Sequence, residues 1–290
     1  MRGLFLLILA WAILSGASAW AADQTVTNPT AANPTAANPT ATDPISVRIG
    51  YLTRAEEPRT PLTFLEPETD DEGAQGARLA ITDNNTTGRF LNQRFELVEA
   101  TVPTDGSVED AVRDLAGQGV RLLVADLRKD DLLAAAAVPE ARGMLIFNTR
   151  APDDDLRNER CLPNLLHVTP SRRMLADALT QYLVSRKWSN WLLVVGRTPE
   201  DEAFAEAMRA AAKRYRAKIV EEKKWTFEDA NRRVDTGHVT VQSETLTFTQ
   251  AGEHDVLVVA DEADAFGEYL PYHTWLPRPV VGTQGMVPTA

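Results

Sequence analysis

The 290-residue chain sets 30 Lys and Arg against 41 Asp and Glu, a formal net charge of −11, and contains one cysteine. So acidic a surface repels phosphate backbones and anionic headgroups, which argues against nucleic acid and acidic membrane surfaces as partners. The single thiol, Cys161, excludes an internal disulfide, lies too far from the amino terminus to be a lipoprotein attachment site, and is expected in the interior.

The chain opens with Arg2, an apolar run from Leu4 to Leu14 and then the small residues Ser15, Gly16, Ala17, Ser18 and Ala19. This is the layout of a secretory leader over 1–21, with cleavage expected after Ala21 and Ala19 as the nearby alternative. A run of about eleven apolar residues is shorter than the roughly twenty needed to span a bilayer, and nothing later is long enough either, so no transmembrane segment is expected in the mature chain. Residues 22–44 repeat Asn28-Pro29-Thr30, Asn33-Pro34-Thr35 and Asn38-Pro39-Thr40, a composition without apolar surface to offset ordering entropy, and predict a disordered linker. The globular part begins near Ile45 and leaves about 250 residues, enough for one large or two medium domains.

From there short β-branched apolar runs alternate with helical patterns, the signature of parallel sheets flanked by helices. Strands are predicted at 46–52, 94–101, 120–125, 143–147, 164–168, 190–196, 217–224, 255–260 and 279–282. Ser107 followed by Asp110 predicts a helix cap ahead of Val108, Ala111, Val112 and Leu115. Thr169-Pro170 and Thr198-Pro199 each place a capping hydroxyl before a first-turn proline; Leu175, Leu179 and Leu183 are the expected buried stripe after the first, and Phe204, Met208 and Ala211 after the second. Gly117-Gln118-Gly119 follows a helix and precedes a strand, so it is a helix end rather than a phosphate cradle. The polar stretch 150–163 divides the array into a first α/β lobe, 45–150, and a second, 151–290.

Catalytic constellations are missing from the pattern. His167, His238, His254 and His273 show no metal-ligand spacing, and no nucleophile elbow, phosphate loop or dinucleotide fingerprint occurs, so neither catalytic residues, a metal site nor a cofactor is expected. Two acidic runs, Glu66 to Glu72 and Asp153 to Asp155, lack the spacing of a calcium loop and are expected as solvated or helix-start charge. Ligands of open α/β sheets sit outside the carboxyl ends of the strands. The residues there are Thr53 and Arg54 after the first strand, Asp126 and Arg128 after the third, and Asn148, Thr149 and Arg150 after the fourth. In the second half they are Arg197, then Asp261 and Glu262, and finally Gln284. These are the candidate ligand-binding residues, and four arginines among them suit an anionic ligand bound through bidentate hydrogen bonds.

The segment Gly76-Ala77-Arg78-Leu79-Ala80-Ile81, with Asn84-Asn85, Gly88 and Phe95-Glu96-Leu97-Val98, resembles the first helix and second strand of type I periplasmic binding proteins, the branched-chain amino acid receptor family. In such a helix the small residues Gly76, Ala77 and Ala80 are expected against the sheet. Asn148 to Asp154, Leu166 to Arg172 and Asp255 to Glu262 are more narrowly similar to the substrate-binding proteins of ABC transporters associated with pyrroloquinoline-quinone (PQQ)-dependent alcohol oxidation. The resemblance implies a two-lobed α/β fold, periplasmic capture of a small ligand in an interlobe cleft, an ABC transporter permease as partner, and no turnover. Alternatives are a periplasmic protein that binds calcium, a lanthanide or a dehydrogenase partner, and an enzyme acting through His167 or Asp261. Two departures qualify it: the loop Asp126 to Asp131 is charged where amino acid receptors carry hydroxyls, and the chain stops directly after its last strand, so the second lobe is expected to be C-terminally truncated.

Overall fold

In the computed structural model, residues 43–56, 71–226, 245–263, 265–272 and 274–283 are described. The expected leader and the linker up to residue 42 lie outside them, as do Glu66, Glu68, Asp70, His238, His273 and Gln284.

Strand β1 (Ile45–Arg54) organises the first sheet, because it pairs in parallel on both sides, with β2 (Gln93–Val102) and with β3 (Leu122–Asp126). Strands β4 (Leu145–Asn148) and β5 (Leu165–His167) extend it to the order β2-β1-β3-β4-β5. Helices α1 (Glu72–Gly88), α2 (Val108–Gly117) and α3 (Lys129–Ala137) make the crossovers between β1, β2, β3 and β4. The second sheet runs β7-β6-β8-β9, from β6 (Asn190–Val195), β7 (Lys218–Lys224), β8 (Val256–Ala260) and β9 (Val280–Gly282). Helix α4 (Arg172–Ser185) leads into it and α5 (Pro199–Tyr215) joins β6 to β7. All nine predicted strands are present, and among the described residues every strand pairing is parallel. The architecture is the one expected, parallel sheets flanked by helices.

The apolar runs explain the layering. Trp191, Leu193, Val195, Val256 and Val258 pack under Phe204, Met208 and Ala211 of α5, while the alternate residues Leu192, Val194, Leu257 and Val259 pack with Trp225, Phe266 and Leu270 on the opposite face. Strands buried on both faces read as unbroken hydrophobic sequence, as β6 and β8 do. At about 1.5–3 kcal/mol for each fully buried Leu or Val, these two strands anchor the second sheet. In the first sheet Leu52, Leu123, Ala125, Ile146 and Leu165 meet α2 and α3 on one face only, and Leu145 and Leu166 remain exposed on the other.

Several expectations need correction. Strand β5 hydrogen-bonds to β4, and Ala151, Leu156 and Leu165 belong to the first core, so the first lobe continues to about residue 168 rather than ending at 150. The polar stretch 150–163 is a crossover whose short 3-10 turn, Asp154–Arg157, docks Leu156; Cys161 lies on its surface and is exposed, not buried. Helix α1 buries Ala74 and Gly88, whereas Gly76 and Ala80 face outward, so its small residues do not bring it onto the sheet as a stripe. Helix α4 starts two residues later than Thr169-Pro170 suggests, because the Ser171 hydroxyl accepts from Met174 N; its buried side is Ala176, Thr180 and Leu183, with Leu175 exposed.

Other helix ends follow the sequence closely. Ser107 caps α2 through Asp110 N (3.1 Å), and at α5 Thr198 and Asp201 exchange side-chain and backbone hydrogen bonds in a reciprocal capping box. Helix α2 closes with Gly119 N on Ala116 O (3.0 Å) and Val120 N on Leu115 O (3.1 Å), the paired bonds of a Schellman end. That end requires the left-handed φ of +83° at Gly119. Gly119→Ala should therefore cost about 1–2 kcal/mol, read as a lower urea midpoint with an unchanged slope.

Candidate functional site

Parallel register brings the carboxyl ends of the first sheet to one level: Thr53 sits opposite Asp126, Ala125 opposite Asn148, and Asn148 opposite His167. There the candidate residues divide into those turned inward and those grouped at the mouth. Arg54 is turned inward. Its Nε and Nη2 clasp Asp131 at 2.6 and 2.8 Å, and Nη1 donates to the carbonyls of Pro103, Thr104 and Gly106. It fastens the loop before α2 to the first turn of α3, with each of its three nitrogens already engaged. Within the charged stretch Asp126 to Asp131, α3 begins at Lys129, so Asp126 and Arg128 stay at the mouth while Asp131 is held by Arg54.

Asn148 is likewise committed. Its Nδ2 donates to Ala151 O (2.7 Å) and to His167 Nδ1 (3.0 Å), and its Oδ1 accepts from the amides of Arg150 and Ala151. All the amide's polar capacity is used in shaping the turn after β4. Thr149 Oγ1 donates to Ala125 O. With Nδ1 of His167 accepting from Asn148, the proton belongs on Nε2, which donates to Leu156 O at 3.2 Å. Burial, joined by repulsion from Arg157, pushes the His167 imidazole below its ordinary range.

The residues that do cluster at the first mouth are Asp126, Arg128 and Arg150, with Tyr51 and Glu56. Tyr51 donates to Asp126 Oδ2 (2.8 Å) and hydrogen-bonds Thr53; burial first, then the Asp126 contact, drives the phenol far above its usual value. Arg150 Nη1 stands 3.9 Å from Asp126 Oδ1, and both Arg150 and Arg128 pair with Glu56.

At the second sheet the strand ends enclose a hollow of about 340 Å³, walled by Arg197 and Thr198 after β6, Trp225 after β7, and Ala263, Ala265 and Phe266 after β8. Trp225 lies flat on Phe266, centroids 4.5 Å apart and planes within 6°, with Phe248 edge-on to it. Asp261 faces its own loop, where both oxygens accept amides, Ala265 N at 2.8 Å and Phe266 N and Gly267 N at 2.7 Å. Burial raises its carboxyl even so, against the pull of those three donors. Asp201 ties the same loop to α5 by accepting from Thr198 N on one oxygen and from Glu262 N (2.6 Å) on the other. Gly196 permits this approach, since a Cβ there would fall 2.2 Å from Asp201 Oδ2. A larger hollow, about 550 Å³, beside Asn85, Arg89 and Gln93 lies at the amino ends of β1 and β2, away from the strand mouths.

Glu262 is the hinge of the arrangement. Its two oxygens take the fork of Arg172 at 2.7 and 2.6 Å; Arg172 Nη1 reaches Asp153 at 2.8 Å; and Asp153 lies 3.5 Å from Lys129 Nζ. An unbroken ionic chain therefore runs from the start of α3, at the first mouth, to the loop walling the second. Only 6% of the Arg172 side chain is exposed. Burial lifts the Glu262 carboxyl, while contact with two carboxylates keeps Arg172 charged despite its own burial. The acidic run is used up in this crossing: Asp153 on Arg172, Asp154 on Ser171 and the α4 amino end, Asp155 on Lys129 and Arg160. Among the described residues no group of His, Cys, Asp and Glu is placed to hold a metal ion.

Sequence reasoning missed Tyr51, Glu56, Asp201, Arg172, Trp225 and Phe266. One signal was available for Arg172, a cation in the first turn of a helix, where the dipole disfavours it. Arg172→Met should cost about 3–5 kcal/mol by leaving Glu262 buried without a partner, and Arg172→Met with Glu262→Met should recover much of that, both read by chemical denaturation. Because the folded His167 binds its proton more weakly than the unfolded one, the unfolded state takes up more protons as pH falls below about 6.5. Stability should decline there, and His167→Gln should flatten that slope between pH 7 and 5.

A sequence profile described as periplasmic binding protein matches residues 61–232. Comparison with curated protein sequences gives no match. Among solved structures, an ABC transporter substrate-binding protein from Desulfitobacterium hafniense in complex with Leu is similar at TM-score 0.59 and 17% identity, over 82% of this chain and 66% of its own. The branched-chain amino acid transporter substrate-binding protein LivJ of Streptococcus pneumoniae, in complex with isoleucine, gives TM-score 0.55 and 16% identity over 82% and 64%. A solute-binding protein of an ABC transporter from R. palustris, in complex with benzoate, gives 0.54 and 13% over 83% and 63%. The chain thus spans slightly under two thirds of the length of these structures, and the likeness is one of fold. With the profile covering more than half of its residues, the chain belongs to the periplasmic binding protein family.

Proposed function

We propose that this chain is the periplasmic solute-capturing component of an ABC transporter, exported by a leader over 1–21. It holds a small organic ligand at the strand-end mouths of its two lobes, passes it to a permease, and performs no chemistry on it. One observation carries this function: the ionic chain Lys129, Asp153, Arg172, Glu262 ties two strand-end mouths to one another, and one of them already forms a hollow floored by stacked aromatic rings. A hollow of this size with an apolar floor and a few polar edges suits a small molecule. Family membership supports the same function.

The finer proposal, a ligand linked to PQQ-dependent alcohol oxidation, is supported by the sequence similarity of Asn148 to Asp154, Leu166 to Arg172 and Asp255 to Glu262. Arg128, Arg150 and Arg197 are the arginines proposed to meet the ligand, and Asp126 holds Arg150 in place. Arg54, Asn148, Thr149, Asp261 and Glu262 are assigned to shaping the mouths.

Thermal-shift and calorimetric titration of the mature protein with leucine, isoleucine, benzoate, PQQ, calcium and lanthanum tests both levels. A cognate solute at a hundredfold excess over its Kd should stabilise by about 2.7 kcal/mol. For an anionic solute, Arg197→Ala should weaken binding about tenfold. Stabilisation by a metal ion alone would replace the solute function with a metal-binding one, conversion of a bound solute would make the protein an enzyme, and no shift with any compound would overturn the proposal.

A further inference from the structure

Glu56 lies two residues past the end of β1, at the first mouth. One of its oxygens, Oε1, faces three guanidinium nitrogens: Nε and Nη2 of Arg128, both at 3.1 Å, and Nη2 of Arg150 at 2.7 Å. The two arginines come from different strand ends, Arg128 from the residue before α3 and Arg150 from the turn after β4. Nothing about stability asks for this gathering. Glu56 is 36% exposed and Arg128 61%, and pairs so open to water contribute at most about 1 kcal/mol. Two guanidiniums aimed at one carboxylate oxygen are, however, the geometry by which proteins take hold of carboxylate ligands.

The charge count points the same way. Arg128 and Arg150 face Glu56 and Asp126, two cations against two anions. Asp126 is fixed by the Tyr51 hydroxyl at 2.8 Å and stays behind Arg150. If Glu56 swings out, the mouth is left with one uncompensated positive charge, which a monocarboxylate would neutralise. The two arginines also hold the Glu56 carboxyl below its ordinary range, outweighing the upward push of its partial burial.

We propose that Glu56 is an internal stand-in for the carboxylate of an organic-acid ligand, held by Arg128 and Arg150 until such a ligand displaces it. This rests on the capture function above and names its ligand class. A tethered carboxylate competes at an effective concentration in the millimolar range, so Glu56 sets a threshold that weakly held acids do not pass.

The test is Glu56→Gln, titrated with acetate and benzoate at constant ionic strength in chloride, with benzamide as the uncharged counterpart of benzoate. Both carboxylates should bind about tenfold tighter than to wild type, benzamide should be unaffected, and adding Arg150→Met should abolish the gain. Carboxylates bound no tighter by Glu56→Gln, or a gain that survives Arg150→Met, would overturn the stand-in. The two levels separate cleanly. If wild type binds a solute and Glu56→Gln leaves every carboxylate unchanged, capture stands and the stand-in falls; if Glu56→Gln gains carboxylate binding while wild type retains no solute of any kind, the stand-in stands and capture falls.

Discussion

A buried guanidinium is tolerable only when its donors are matched, and Arg172 is matched by two acids from opposite sides of the chain crossing: Glu262 from the loop after β8 and Asp153 from the loop after β4. Desolvating these charges costs several kcal/mol per ion, so the contact adds little net stability over an apolar packing of the same volume. What it contributes is position. Any arrangement of the two sheets that separated Asp153 from Glu262 would strand one charge in a poorly hydrated place, and the penalty selects the arrangement that keeps the three together. The Glu262 loop is in turn held by Asp201 through its backbone amides, so the wall of the second hollow inherits its placement from the same contact.

The first mouth is organised differently. Its ion pairs are partly exposed and individually weak. A buried ionic anchor beside a more exposed ionic cluster is a division of labour consistent with the proposed capture function. The aromatic floor of the second hollow belongs with the anchor: Trp225 and Phe266 are core residues of the second sheet, nearly all of whose surface is buried.

Much of the fold could be read from the chain because the signals were local. Strands β6 and β8 announce themselves as unbroken apolar runs, and Thr198-Pro199 marks the start of α5. The lobe boundary was misplaced because the polarity of 150–163 says only that the segment is exposed; sheet membership of β5 depends on pairing with β4, a contact that no local pattern encodes. The site was less legible still. Arg54 and Arg150 are equally plausible as strand-end arginines, and what separates them is their partners: Asp131 and three carbonyls engage all three nitrogens of Arg54, whereas Arg150 donates to a half-exposed Glu56. Asn148 and Asp261 look like ligand residues for the same reason that they are turn-formers: a short polar side chain at a strand end can face out to solvent or back to its own amides, and both face back.

The order of strands also bears on how the molecule behaves in a crowd. Among the described residues the long outer strands are β2 and β7, and they are studded with charge: Arg94, Glu96 and Glu99 on one, Lys218, Glu221, Glu222, Lys223 and Lys224 on the other. At the opposite margins β5 and β9 are only three residues each. An outer strand is a template on which a neighbour's backbone can add itself, and charge or brevity spoils the template. Such margins give a resistance to stacking edge to edge that is independent of anything the chain binds.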